Sequence, residues 1–135
     1  MAGTIVADDI QHSTAGSVGT EYVVNGSAKA WVNYDGTTTP SVRDSFSHSS
    51  ITDNANADHT ISHSIAFATA TGYLAIGTGG FTANTFPGGH IGFDRVGSTG
   101  AEVVPTTTTR RVTHQLTSGL DEQKYASLMF VGDLA

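Results

Sequence analysis

Alternation of apolar and polar positions is clearest at residues 59–67. His59, Ile61, His63, Ile65 and Phe67 fall on one side, and Thr60, Ser62, Ser64 and Ala66 fall on the other. Successive strand side chains point to opposite faces, so this period of two predicts a half-buried β-strand with Ile61 and Ile65 in the core. Ala30-Trp31-Val32-Asn33-Tyr34 predicts a second strand able to bury either face, with Trp31 and Val32 assigned to the core. Asp35-Gly36 followed by threonines signals a turn. Pro40 then delays a strand at Val42-Arg43-Asp44-Ser45-Phe46, whose Phe46 is a further core candidate. Ile51 belongs to the core edge of a strand that ends at the polar turn cluster of residues 53–58. Further strand candidates are residues 73–78, 90–93, 102–104, 106–113 and 125–131, and Pro105 separates the third from the fourth.

About seven to nine short strands, with turn signals every ten residues or so, predict an all-β fold. An antiparallel β-sandwich or jelly-roll-like head over residues 28–135 fits that spacing better than a βαβ sheet does. The sole candidate for a helical turn is residues 121–124. Residues 1–27 hold two apolar patches, Ile5-Val6 and Tyr22-Val23-Val24, on either side of a stretch of small residues. Too little apolar surface is present there for an independent core, which predicts an N-terminal attachment arm or an edge strand of the main domain.

Composition narrows the function classes. The chain has 135 residues, enough for one domain with a real core. Only 13% of it is charged, so hydroxyls and amides dominate the expected surface. A net charge of −6, with six cations scattered apart from Arg110-Arg111, argues against a phosphate-backbone partner and hence against nucleic acid. The absence of cysteine excludes disulfides, thiolate metal sites and a Cys nucleophile. No apolar run approaches the ~18 residues of a spanning helix, so no membrane partner is expected. The opening MAGTIVADDIQHS lacks the charged and apolar regions of a secretory signal, which implies synthesis in a cytoplasm.

One segment carries a resemblance. Lys29-Ala30-Trp31-Val32-Asn33, Asp35-Gly36-Thr37, Arg43-Asp44-Ser45-Phe46 and Ser49-Ser50-Ile51-Thr52-Asp53-Asn54 occur in the order of a wording close to AKAWVNF…GT…IRDSFNVSSITDNGTGDY. In this the chain resembles the distal module of bacteriophage tail-fibre and receptor-binding proteins, over roughly a third of its length. The resemblance implies a non-enzymatic virion protein, a homotrimer, that attaches to a host-surface glycan or protein. Residues 1–27 would then dock on other virion proteins. Capsid decoration is the alternative within a virion, and a free carbohydrate-binding module is the alternative outside one. Thr38-Thr39-Pro40-Ser41 departs from the family wording, and the likeness fades after Phe67. His59 and His63 stand where the family wording has Tyr and Phe.

Candidate chemistry is sparse. His59 and His63 are about 13 Å apart along a strand and so cannot share an ion at ~2 Å, which leaves packed histidines or ligands gathered on a symmetry axis. His12, His48, His90 and His114 read as isolated and solvated. The carboxylates Asp44, Asp53, Asp58, Asp94 and Glu102 show no pattern of a paired acid and base, and no nucleophile elbow or phosphate loop occurs. No catalytic residue, cofactor or metal is therefore expected. Ligand contacts are assigned to Tyr34, Phe81, Asn84 and His90, where aromatic faces and polar groups suit sugars; Phe86 is read as a cap on the core.

Overall fold

Ala30, Val32 and Tyr34 turn inward from β3 (Ala28–Asp35) and are almost fully buried, while Trp31, Asn33 and Asp35 point away from the core. The computed structural model describes residues 3, 5–80, 90–116 and 119–135. The expectations at Phe81, Asn84 and Phe86 thus lie outside the described residues. Among those described, β-structure dominates and every strand pairing is antiparallel.

Two sheets share one core. The first has the order β4 (Ser41–Phe46), β3, β11 (Tyr125–Val131), β7 (Leu74–Gly80). The second joins β5 (His48–Ala55) to β6 (Asp58–His63) and β6 to β9 (Thr109–Leu116), which also pairs with β8 (His90–Phe93) and β10 (Gly119–Leu120). Val32, Tyr34, Leu128 and Phe130 from the first sheet meet Ile61 and Val112 from the second. Phe67 and Tyr73 close one end, their rings stacked at 4.1 Å between centroids. Ser47 alone separates β4 from β5, so the chain changes sheets at this residue, with φ at 52°.

Burial matches the expected core at Val32 and Ile61, with Ile51 and Ile65 partly buried against it. Two assignments are corrected. Phe46 is 55% exposed, and Trp31, which pairs with it across β3 and β4, is only partly buried on the same outer side. The small Ala30 and the larger Val32 and Tyr34 won the inner face because they meet the opposing sheet.

Other differences have local causes. Residues 102–104 form no strand, and Glu102 contributes only a bridge to Arg95. β9 begins three residues later than expected, because the Thr106 hydroxyl accepts the amide hydrogens of Thr108 and Thr109 and holds a turn there. Residues 121–124 are not helical. A helix forms instead at α1 (Thr20–Gly26), with Glu21 in its first turn, where an acidic side chain complements the helix dipole.

The N-terminal arm pairs with itself. β1 (Asp9–His12) and β2 (Gly16–Gly19) make a hairpin in neither larger sheet, and the Thr20 hydroxyl donates to the Ala7 carbonyl at 2.7 Å, tying the hairpin's base to α1. No residue of β1, β2 or α1 is buried.

Candidate functional site

Strand register builds the most distinctive surface of the molecule. Phe46 pairs with Trp31, Trp31 with Met129, and Met129 with Ile76, so one apolar row crosses all four strands of the first sheet. Phe46, Ile76 and Met129 are 55%, 44% and 39% exposed. Leu74, 58% exposed, pairs with Val131 and extends the apolar surface by one more step. Because strand partners share a face, this row lies opposite the core.

The adjacent row is polar: Asp44, Asn33, Ser127 and Thr78. The Asn33 amide donates to the Ser127 hydroxyl at 2.9 Å, which fixes both side chains across the sheet. Between the rows lies an open depression of about 320 Å³, lined by Trp31, Asn33, Ile76, Thr78, Ser127 and Met129 among others. At one rim Arg43 reaches Asp35 at 2.8 Å and lies 4.8 Å from the centroid of the Tyr125 ring. The Thr37 hydroxyl donates to Asp35 and is the main reason that its carboxyl titrates lower than usual.

Of the residues expected to contact a ligand, Tyr34 and His90 are among those described. Tyr34 is fully buried, so no external ligand reaches it. Its hydroxyl lies 2.7 Å from His114 Nε2 and 3.4 Å from His59 Nδ1. His90 is exposed at the first position of β8. Phe81 and Asn84 lie outside the described residues.

The histidines that sequence spacing separates are brought together in pairs. His59 and His114 lie with ring centroids 5.0 Å apart, both fully buried. The solvated reading of His114 is thereby corrected; β9 carries it into the core end next to Tyr34. Gly36 makes room for this cluster, since a Cβ there would come within 2.8 Å of His114 Cε1. Gln123 is fully buried beside it, its amide lying over Gly79 where any side chain would collide.

At the other end of β6, His63 pairs with His48 in strand register and sits edge-on to Phe130 at 4.3 Å. His48 is only partly exposed, which corrects its solvated reading too. Burial pushes His63 and His114 each down to about 4, and it lowers His48 and His59 as well. Carboxylates at Asp53, Glu122 and Asp58 oppose the shift at His59.

Among the described residues, three carboxylates are committed to arginine. Asp58, 1% exposed, receives Arg111 through both oxygens at 2.5 and 2.7 Å and also the Gly97 amide at 2.8 Å. Asp94 holds Arg110 at 2.8 Å, although burial still raises its carboxyl. Asp35 holds Arg43. No group of three or more metal-ligating side chains of the His, Cys, Asp or Glu types converges among the described residues. No described helix is long and apolar enough to cross a membrane.

The candidate site is thus an exposed sheet face: a register-built apolar row, a polar row beside it, and a shallow trough between. Sequence reading missed it by sending Trp31 and Phe46 inward. The available signal was the apolar set Ala30, Val32 and Tyr34, whose alternation leaves Trp31 on the opposite side of the strand with Asn33 and Asp35. No family model, curated protein or solved structure matches the chain.

Proposed function

We propose that the chain is a non-enzymatic structural protein of a bacteriophage virion, a short tail-fibre or receptor-binding head that attaches to the host surface. The reading is supported by the segment that resembles fibre modules and by where its aromatic residues fall. Trp31 and Phe46 pair on a sheet face that no other described element covers, rather than filling the core. That single observation carries the proposal, because a freestanding domain gains nothing by presenting such a row to water, whereas a protein that works inside an assembly does.

The second sheet offers a different surface. Ser49, Ser50, Thr52, Asp53 and Asn54 of β5 are all exposed, a dense set of hydroxyl, amide and carboxylate groups. Such groups match the hydroxyls of a host-surface glycan or the polar surface of a protein receptor. Release with the virion from a host cytoplasm is part of the same reading.

Capsid decoration is the second reading, and the unburied apolar residues of the N-terminal arm favour it, since a cement protein needs a segment that borrows a core from its neighbours. Immunogold labelling of purified particles separates the two. Label at the tail tip supports attachment, label over the capsid supports decoration, and absence of the protein from particles overturns both. In the last case, binding of the isolated protein to cell-envelope polysaccharide would leave a free carbohydrate-binding module as the reading.

A further inference from the structure

Two surfaces of this chain are apolar and left uncovered by the described residues. On the N-terminal arm, seven large apolar residues are exposed among those described, from Ile5 at 93% and Val6 at 92% to Val18 at 41%. On the outer face of the first sheet five are exposed among those described: Phe46, Leu74, Ile76, Tyr125 and Met129. We infer that the arm of one copy docks on the outer face of the β4–β3–β11–β7 sheet of a second copy, in a head-to-tail contact between identical chains. The inference stands whether or not the chain belongs to a virion.

The pairing of these two surfaces follows from what each lacks. The arm has its own hairpin and helix yet buries nothing, and its apolar residues flank a hollow lined by Ile5, Val6, Ile10 and Val24. The sheet face has a trough along Trp31, Ile76 and Met129 that no described element fills. A symmetric contact of face against face would cover the sheet and leave the arm in water, whereas arm on face covers both. Together the two surfaces supply enough apolar side chains to approach the ~1,000 Å² expected of a specific interface.

The arm carries Asp8, Asp9 and Glu21 and no Lys or Arg, while Lys29 and Arg43 on the sheet face are balanced in number by Asp35 and Asp44, so the match rests on the apolar surfaces and not on charge. Folding of the arm onto its own face is opposed at its root. The Lys29 ammonium donates to the carbonyls of Val24 and Ser27 and to the Ser27 hydroxyl, clamping the end of α1 to the start of β3. A head-to-tail contact closes into a ring or runs on as a filament.

Sedimentation of the full chain and of two surface variants tests this. The wild-type protein is expected at a multiple of the 14.0 kDa chain mass. Met129→Lys on the face and Val24→Asp on the arm should each sediment as the single chain. Mixed in equal amounts, the two variants should recover a species of twice the chain mass, because the intact arm of one fits the intact face of the other. Both altered side chains are exposed, so circular dichroism should show each variant folded.

A wild-type protein that stays monomeric up to ~1 mM overturns the inference and indicates that the arm covers its own face or that a ligand does. Dissociation by Met129→Lys alone, with no effect of Val24→Asp, also overturns it in favour of a face-to-face dimer. Failure of the mixture to recover a dimer overturns the head-to-tail geometry. None of these results depends on where particles are labelled, so the inference and the virion reading fail separately.

Discussion

Phe46 leaves more than half of its surface in solvent on the outer sheet face, whereas Phe130 is enclosed between the sheets among Tyr73, His63 and Leu128. The same side chain is therefore worth very different amounts at the two positions. Phe130→Ala removes a packed ring and leaves a cavity, at a cost of about 3–5 kcal/mol. Phe46→Ser removes no core contact and should stay within about 0.5 kcal/mol, measured by urea denaturation at a dilution where copies do not associate. Equal costs at the two sites would mean that Phe46 is buried after all. Asp58 presents a sharper case, because it is nearly inaccessible and satisfies both prongs of Arg111 and the Gly97 amide. Asp58→Ala leaves Arg111 without its counter-charge and frees the turn at Gly97, for an expected loss of about 3 kcal/mol in the same measurement.

Strand elements show what alternation can and cannot reveal. In β6 the inward set is His59, Ile61 and His63, as its period of two predicts, because only one side is apolar. In β3 one side is apolar, Ala30, Val32 and Tyr34, and the other is polar except for Trp31, so the alternation names the inner face and Trp31 is the exception to it, placed outward by its position in the strand. Distant pairing hid the candidate site, since the Phe46–Trp31–Met129–Ile76 row exists only in the registers of three strand pairs. His114 joins His59 for a similar reason, through the pairing of β6 with β9. The helix α1 escaped notice because Tyr22, Val23 and Val24 are indifferent helix formers and no buried face gives it a period. Ser47, where the chain passes from one sheet to the other, holds a left-handed conformation that an L side chain resists. Ser47→Gly should therefore stabilise the domain by up to about 1 kcal/mol, less the greater freedom that glycine gives the unfolded chain. A measured loss of stability would show that the Ser47 side chain contributes more than its backbone strain costs.

For the molecule as a whole, the buried histidines make acid the condition to which the fold is most exposed. His59 and His114 sit at one end of β6, and His48 and His63 at the other, so the second sheet is secured to the core at both ends by rings that must remain neutral. The groups around them do not remove that requirement: Arg110 lies on the side of His63 and disfavours its charge, while Asp53, Asp58 and Glu122 only partly offset burial at His59. Above the unfolded value of ~6.5 a histidine is neutral in both states and contributes no pH dependence. Below that value the unfolded chain takes up protons first, so stability falls with pH until the folded values, about 4 for His63 and His114, are reached. Each of these two withdraws roughly 3 kcal/mol over the window, and together they rival the 5–15 kcal/mol by which a domain is ordinarily stable. The melting temperature should therefore be level from about pH 8 to pH 6.5 and fall steeply by about pH 4.5. His63→Phe places an uncharged ring among Phe67, Tyr73 and Phe130 and should flatten part of that slope without lowering stability near neutral pH. A wild-type melting temperature that does not move between about pH 8 and pH 4.5 would mean that these rings gain their protons without opening the core, and that the second sheet is held by the aliphatic contacts of Ile61 and Val112 alone.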